Sequence, residues 1–290
     1  MQEDVLYMSD YFCGWYFKCQ SDQQTLAVIP AIHKSKKGKS CSVQLITNEG
    51  TWRIFLSYTH FRKQIGEFDI SVGKNYFGEK GISLCLNTEG CSAIGSVRFG
   101  KFSSIRYDIM GPFRYLPFME CRHSILSMKH SVMGELCVNG VKYRFQDGIG
   151  YIEGDRGYSF PKEYAWTQCS FENGSLMLSI ADILLGPFHF NGVICIIQWQ
   201  GREYRLATYL GAKAVKIEKG EIVVRQRDMT LSVKLLERSA QPLLAPINGS
   251  MNRTIHESAA CRAAYCFQQN TQTIFSFETT RASFEYEYFS

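Results

Sequence analysis

Apolar and polar residues alternate with a period of two along most of this chain, and helical periodicity is nearly absent. Thr51-Trp52-Arg53-Ile54-Phe55-Leu56, Glu221-Ile222-Val223-Val224-Arg225 and Met229-Thr230-Leu231-Ser232-Val233-Lys234-Leu235 are the plainest cases. Successive side chains of a strand point to opposite faces, so each run offers one face to a core. Turn signals separate the runs. Asn139-Gly140 divides Glu135-Leu136-Cys137-Val138 from Val141-Lys142-Tyr143-Arg144-Phe145, and both turn residues tolerate the positive φ of a tight hairpin. Asn173-Gly174, Glu49-Gly50, Gln200-Gly201 and Lys219-Gly220 read as further hairpin tips. Strands spaced by about 8–12 residues with turns between them predict an all-β protein of the sandwich or barrel kind.

The length of 290 residues suits two domains. Two barrels of about eight strands each would close their exposed edges, and a barrel of that size holds one small ligand. The glycines at 148, 150, 154 and 157 place the boundary, giving 1–150 and 151–290 as the two domains. No internal sequence repeat supports the division. Aromatic residues make up 14% of the chain, 20 Phe and 16 Tyr among them, which suits half-buried pleated surfaces and the walls of apolar cavities.

The net charge of +5 is mild, and its one dense run is His33-Lys34-Ser35-Lys36-Lys37-Gly38-Lys39. Gly and Ser punctuate it between apolar runs, so it reads as a solvated hairpin tip with at most peripheral membrane contact. No aromatic residues interleave the lysines, which argues against nucleic acid as a partner. The beginning, Met1-Gln2-Glu3-Asp4, is acidic where a secretory signal is basic, and no run approaches the ~20 apolar residues of a membrane span. Eleven cysteines, scattered and odd in number, read as reduced thiols of a cytoplasmic protein.

Several chemistries are excluded by motif. There is no phosphate-binding loop, dinucleotide fingerprint, Gly-x-Ser-x-Gly elbow or Cys-x-x-Cys pair. The polar groups of chemical use gather between Met110 and Trp166: Glu120, Cys121, His123, His130, Glu153 and Asp155. In a strand Cys121 and His123 share a face and Glu120 opposes them. This allows a Cys–His nucleophile, a metal held by His123, His130 and a carboxylate, or histidines that satisfy buried backbone. It also allows a carboxylic acid kept protonated by an apolar cavity, with Glu120, Glu153 and Asp155 as the candidates. Spacing alone does not choose among these readings.

The segment Gly150-Tyr151-Ile152-Glu153-Gly154-Asp155-Arg156-Gly157-Tyr158-Ser159-Phe160-Pro161, continued by Tyr164-Ala165-Trp166-Thr167-Gln168, resembles the signature of the tocopherol cyclase family. Met110-Gly111-Pro112-Phe113, Pro117-Phe118-Met119-Glu120-Cys121-Arg122-His123 and Ser127-Met128-Lys129-His130 resemble its other dense block. The resemblance implies two tandem lipocalin-like antiparallel β-barrels and an enzyme that closes a ring on a prenylated quinol. That reaction delivers a proton to an alkene and captures the carbocation with a phenol oxygen; it requires no cofactor and no metal. It needs an acid, aromatic faces and exclusion of water. On this reading Glu153, Asp155, Glu120, His123 and His130 are catalytic candidates, with Glu153 or Asp155 as the acid. Tyr158, Phe160, Tyr164, Trp166, Gln168 and Arg156 are expected around a small hydrophobic ligand or substrate. The alternative is a non-catalytic carrier of a lipid, isoprenoid or quinone. Arg156 stands where the family usually has Trp, and pairing of its cation with Glu153 or Asp155 would weaken either as an acid. Gly157, Pro161 and Trp166 also suit purely structural roles at a junction.

Overall fold

The computed structural model describes residues 10–64, 68–117, 119–185 and 188–288. Met1–Asp4 and Phe118 therefore lie outside the described residues. The expected all-β class is what the chain adopts: the described residues form twenty-one strands in two antiparallel sheets. Eleven form the first: β1 (Tyr11–Gln20), β2 (Thr25–Ser35), β3 (Gly38–Ile46), β4 (Thr51–Ser57), β5 (Phe61–Lys63), β6 (Asp69–Val72), β7 (Asn75–Gly78), β8 (Gly81–Thr88), β9 (Cys91–Phe99), β10 (Cys121–Val138) and β11 (Val141–Gly157). Ten form the second: β12 (Tyr164–Phe171), β13 (Gly174–Leu185), β14 (Phe188–Trp199), β15 (Arg202–Ala207), β16 (Lys213–Glu218), β17 (Glu221–Gln226), β18 (Met229–Glu237), β19 (Gln241–Ile247), β20 (Ser250–Gln269) and β21 (Gln272–Tyr286). The counts exceed the expected eight per barrel.

Both sheets follow one plan. In the first, consecutive strands pair throughout, except that β1 pairs with β11 and the order ends at β4 and β5, which the 3-10 turn Tyr58–His60 joins. In the second, β12 pairs with β21 and the order ends at β15 and β16, joined by the 3-10 turn Thr208–Leu210. This is a lipocalin-like up-and-down barrel twice over, and the repetition is carried by topology with no repeat in sequence. Each sheet surrounds its own apolar cluster. Phe17, Leu26, Val28, Val43, Phe77 and Phe145 belong to the first, and Leu178, Ile197, Leu206, Val224, Phe267 and Phe284 to the second. Burying such side chains stabilises the fold by about 1.5–3 kcal/mol each.

The tight turns follow from the predicted residues. Asn139 and Gly140 have φ of 49° and 85°, and Gln200-Gly201 and Lys219-Gly220 repeat that pair of positive angles. The lysine run is a hairpin tip, with β2 ending at Ser35 and β3 starting at Gly38. Gly148, Gly150, Gly154 and Gly157 all lie inside β11, with position 150 mid-strand. Packing explains them. A Cβ at Gly157 would lie 1.9 Å from the Glu120 carbonyl oxygen, and one at Gly150 would lie 2.2 Å from His130 Nε2. Two compact units result, and neither is continuous in sequence. The first takes Glu120–Phe160 and Leu243–Thr254 together with the chain up to Ser104; the second takes Ile105–Met119, Pro161–Pro242 and Ile255 onward.

Candidate functional site

The antiparallel register of β10 and β11 sets Cys121 opposite Gly157, His123 opposite Asp155 and Ile125 opposite Glu153. On the far side of β11, Tyr16 of β1 stands opposite Glu153 and Gly14 opposite Asp155. Directly opposed residues share a face. One face of these three strands therefore carries Tyr16, Cys121, His123, Tyr151, Glu153 and Asp155. The other face carries Trp15, Phe17 and Ile152, which belong to the apolar core. The expected catalytic cluster thus lies on the side of the sheet facing away from the barrel interior.

His123 is the centre of this cluster. Its Nδ1 lies 2.9 Å from Asp155 Oδ1 in a hydrogen bond. Its Nε2 lies 3.2 Å from Glu153 Oε2, within ion-pair distance. The side chains are 10% (His123), 7% (Glu153) and 23% (Asp155) exposed, so Asp155 is the member most open to a ligand. Burial pulls the imidazole pKa down, but the Glu153 and Asp155 charges and the bonds they make outweigh it and hold His123 well above its ordinary value. The ring is consequently an imidazolium at neutral pH and donates Nδ1–H to Asp155. Tyr151 donates its hydroxyl to Glu153 Oε2 at 2.5 Å and so holds that carboxylate. Burial, then the Glu153 charge, keeps Tyr151 a neutral phenol.

Other expectations are redistributed. Cys121 does point with His123, but its thiol lies 3.5 Å from Asp155 Oδ1, and burial followed by the Asp155 charge raises its pKa well above the ordinary thiol value. A thiol so suppressed is no nucleophile. His130 is not near His123. Two register shifts between Ile125 and His130 carry it away, and it sits against the rings of Phe99 and Phe102 at 4.6 and 4.9 Å, with Nδ1 on Ser127 Oγ. A metal shared by His123 and His130 is thereby ruled out as a geometry. His123, Glu153 and Asp155 do bring one ligand atom each within 4.8 Å of one another. Arg156 does not pair with Glu153 or Asp155, because strand alternation turns it to the opposite face, where it stands across from Cys13 and Arg122.

Glu120 contributes backbone to this region: its carbonyl accepts from the N–H groups of Tyr158 and Ser159. Phe160 packs edge-on to Phe12 at 5.4 Å, and its N–H bonds to the Pro246 carbonyl. Tyr164, Trp166 and Gln168 belong to the second unit, on one face of β12, which is buried along its whole length. There Tyr164 donates to Glu285 Oε2 at 2.5 Å, and Gln168 Nε2 to Ser170 Oγ at 3.2 Å. Glu285 pairs in register with both Trp166 and Glu257, and Glu257 and Glu287 are buried as well. The sequence reading passed over these carboxylates. It also passed over Tyr151, although the alternation Tyr151-x-Glu153-x-Asp155 places all three on one face.

No family model matches the chain, and no curated protein matches it in sequence. Solved structures do. CghA, solved with Sch210972, superposes with a TM-score of 0.62 at 9% identity over 96% of this chain and 89% of that one. This chain shares its fold. A second CghA structure gives 0.60 at 9% identity over 96% and 88% of the two chains. Kievitone hydratase from Nectria haematococca gives 0.59 at 10% identity over 95% and 88%. Identities this low carry the architecture alone. Among the described residues no helix is long and apolar enough to cross a membrane.

Proposed function

We propose that this chain is a tocopherol cyclase-like enzyme that protonates an alkene of an apolar substrate, such as a prenylated quinol or another isoprenoid, using its own side chains. The observation that carries this reading is the His123 ring held between Asp155 and Glu153, with Asp155 the most exposed of the three. His123 Nδ1 passes its proton to Asp155, and the Asp155 carboxylic acid delivers it to the alkene. A tertiary carbocation forms, and an internal hydroxyl captures it in ring closure, or water captures it in hydration. The captured oxygen loses its proton, which returns through Asp155 to His123, so no net proton or electron is consumed. Glu153, held by Tyr151, stabilises the imidazolium through each cycle. The shared fold with kievitone hydratase, a hydratase by name, supports alkene chemistry of this kind.

The test is incubation with a panel of prenylated phenols and quinols in deuterated water, read by mass spectrometry. Turnover with one deuterium placed on carbon is expected, and Asp155→Asn and His123→Gln should each lose about a hundredfold or more in kcat. Ligands that bind and return unchanged, without deuterium, would refute the catalytic reading and leave a carrier.

A further inference from the structure

Crowding accounts for glycine at Gly150 and Gly157, where a Cβ would run into His130 or the Glu120 carbonyl. Gly14 of β1 is different. Its φ is not positive, so no turn geometry requires glycine there. An added Cβ would meet Ala31 Cβ at 3.3 Å, the Pro30 carbonyl oxygen at 3.8 Å and Ile29 Cγ2 at 4.0 Å. All three atoms belong to the neighbouring strand β2, and the meeting is close contact without collision. Glycine inside a strand costs conformational entropy and leaves nothing to pack, and it commonly marks a place where another group approaches the backbone. Neither the backbone nor a neighbouring strand supplies the reason at Gly14.

Register supplies one. Gly14 stands directly opposite Asp155, and the Cβ positions of such a pair lie about 4.5–5.5 Å apart. A side chain at position 14 would therefore project beside the Asp155 carboxyl, on the face that carries His123. Gly14 is half-buried, whereas Phe12 and Tyr16, two residues away on either side and on the same face, are buried. Asp155 is the most exposed member of its cluster. The missing side chain thus leaves a recess with Gly14 as its floor, Asp155 along one side and an aromatic residue at each end. Aromatic rings stabilise a neighbouring cation through their quadrupole.

We propose that Gly14 is a specificity-determining residue, and that the recess over it receives the dimethyl-bearing carbon of a prenyl alkene while the adjoining CH carbon meets Asp155. This rests on the reading of Asp155 as the acid and deepens it by naming the group recognised, an alkene with two alkyl substituents on one carbon. The alkene electron pair takes the Asp155 proton at the less substituted carbon. Positive charge is left on the branched carbon, between Phe12 and Tyr16, until an oxygen captures it.

Calorimetric binding and turnover of 2-prenylphenol and its unbranched analogue 2-allylphenol test this on the wild type, Gly14→Ala and Gly14→Val. Gly90→Val is the control, at an exposed hairpin tip where an added Cβ meets nothing within 4 Å. The Kd of 2-prenylphenol should rise about tenfold in Gly14→Ala and further in Gly14→Val, since one extra methyl in a fitted pocket is worth about that much. The Kd of 2-allylphenol should not change, because it has no branch to place over position 14, and Gly90→Val should bind both phenols as the wild type does. Thermal melts identify a variant that fails to fold; should Gly14→Val be one, Gly14→Ala decides. An unchanged Kd for 2-prenylphenol, an equal loss of both phenols, or a wild type that binds neither would overturn the proposal. The two readings fail separately. Gly14-dependent binding without turnover refutes the acid and keeps the recess, whereas turnover with equal kcat/KM in the wild type and Gly14→Ala refutes the recess and keeps the acid.

Discussion

Mild acid should destabilise this protein through two histidines that its core holds neutral. His130 is 4% exposed, bonded through Nδ1 to Ser127, and its Nε2 has no hydrogen-bond partner. Burial lowers its pKa from 6.5 to about 3. His33 is 5% exposed, its Nε2 lies 2.9 Å from Ser42 Oγ, its Nδ1 is unpartnered, and burial lowers its pKa to about 4. Both pKa values are depressed in the folded state. The unfolded chain therefore takes up protons first as the pH falls below 6.5, and stability declines until the folded values are reached. Each pKa unit of difference is worth about 1.4 kcal/mol, so at pH 5 each histidine removes about 2 kcal/mol. Together that is about 4 kcal/mol, a large share of the 5–15 kcal/mol typical of folded domains. Urea unfolding followed by tryptophan fluorescence at pH 7, 6 and 5 measures it, and stopping at pH 5 keeps ordinary carboxylates ionised. His33→Gln and His130→Gln should each lower stability at pH 7 and halve the acid slope. If the slope persists undiminished in both variants, the buried neutral histidines are not its source.

Three further outcomes are expected. His123 has a raised folded pKa, so its stabilisation is complete below pH 6.5 and is lost as the pH rises through the folded value; His123→Gln should flatten that alkaline decline in the same urea assay. Gly157→Ala forces a Cβ onto the Glu120 carbonyl at the pairing of β10 with β11, and should cost about 2–4 kcal/mol, seen as a lower thermal midpoint. In the second unit, Arg205 stacks on Tyr107 at 3.7 Å and donates to the Tyr107 and Asp108 carbonyls, to Tyr209 and to Glu203. Arg205→Leu should cost about 3–5 kcal/mol and expose the segment around Tyr107 to limited proteolysis, and Arg205→Lys should recover little of the loss, since an ammonium cannot replace the planar fork.

The parts of this structure that were legible in sequence are those decided by neighbours along the chain. A period of two marks a strand wherever it occurs, and Asn139-Gly140 marks a hairpin because both residues readily accept the turn's positive backbone angles. Likewise Glu153 and Asp155 share a face simply because they are two apart. What joins His123 to them is different in kind. It depends on the register between β10 and β11, which the shifts between Ile125 and His130 interrupt, so a count along the chain could not separate His123, which joins the cluster, from His130, which leaves it. The glycines of β11 have a related explanation: close approach of the Glu120 carbonyl and the His130 ring requires them, and neither approach is visible from neighbours along the chain. Arg156 shows the limit most clearly. Alternation already required it to oppose Glu153 and Asp155, but chemistry suggested an ion pair with them, and the pleat prevailed because turning one side chain to the other face would cost the pairing of the whole strand. The same pleat that gathers His123 and two carboxylates on one side of β11 therefore turns the Arg156 guanidinium to the other, and a single strand carries its acid–base groups on one face and a cation on the opposite one.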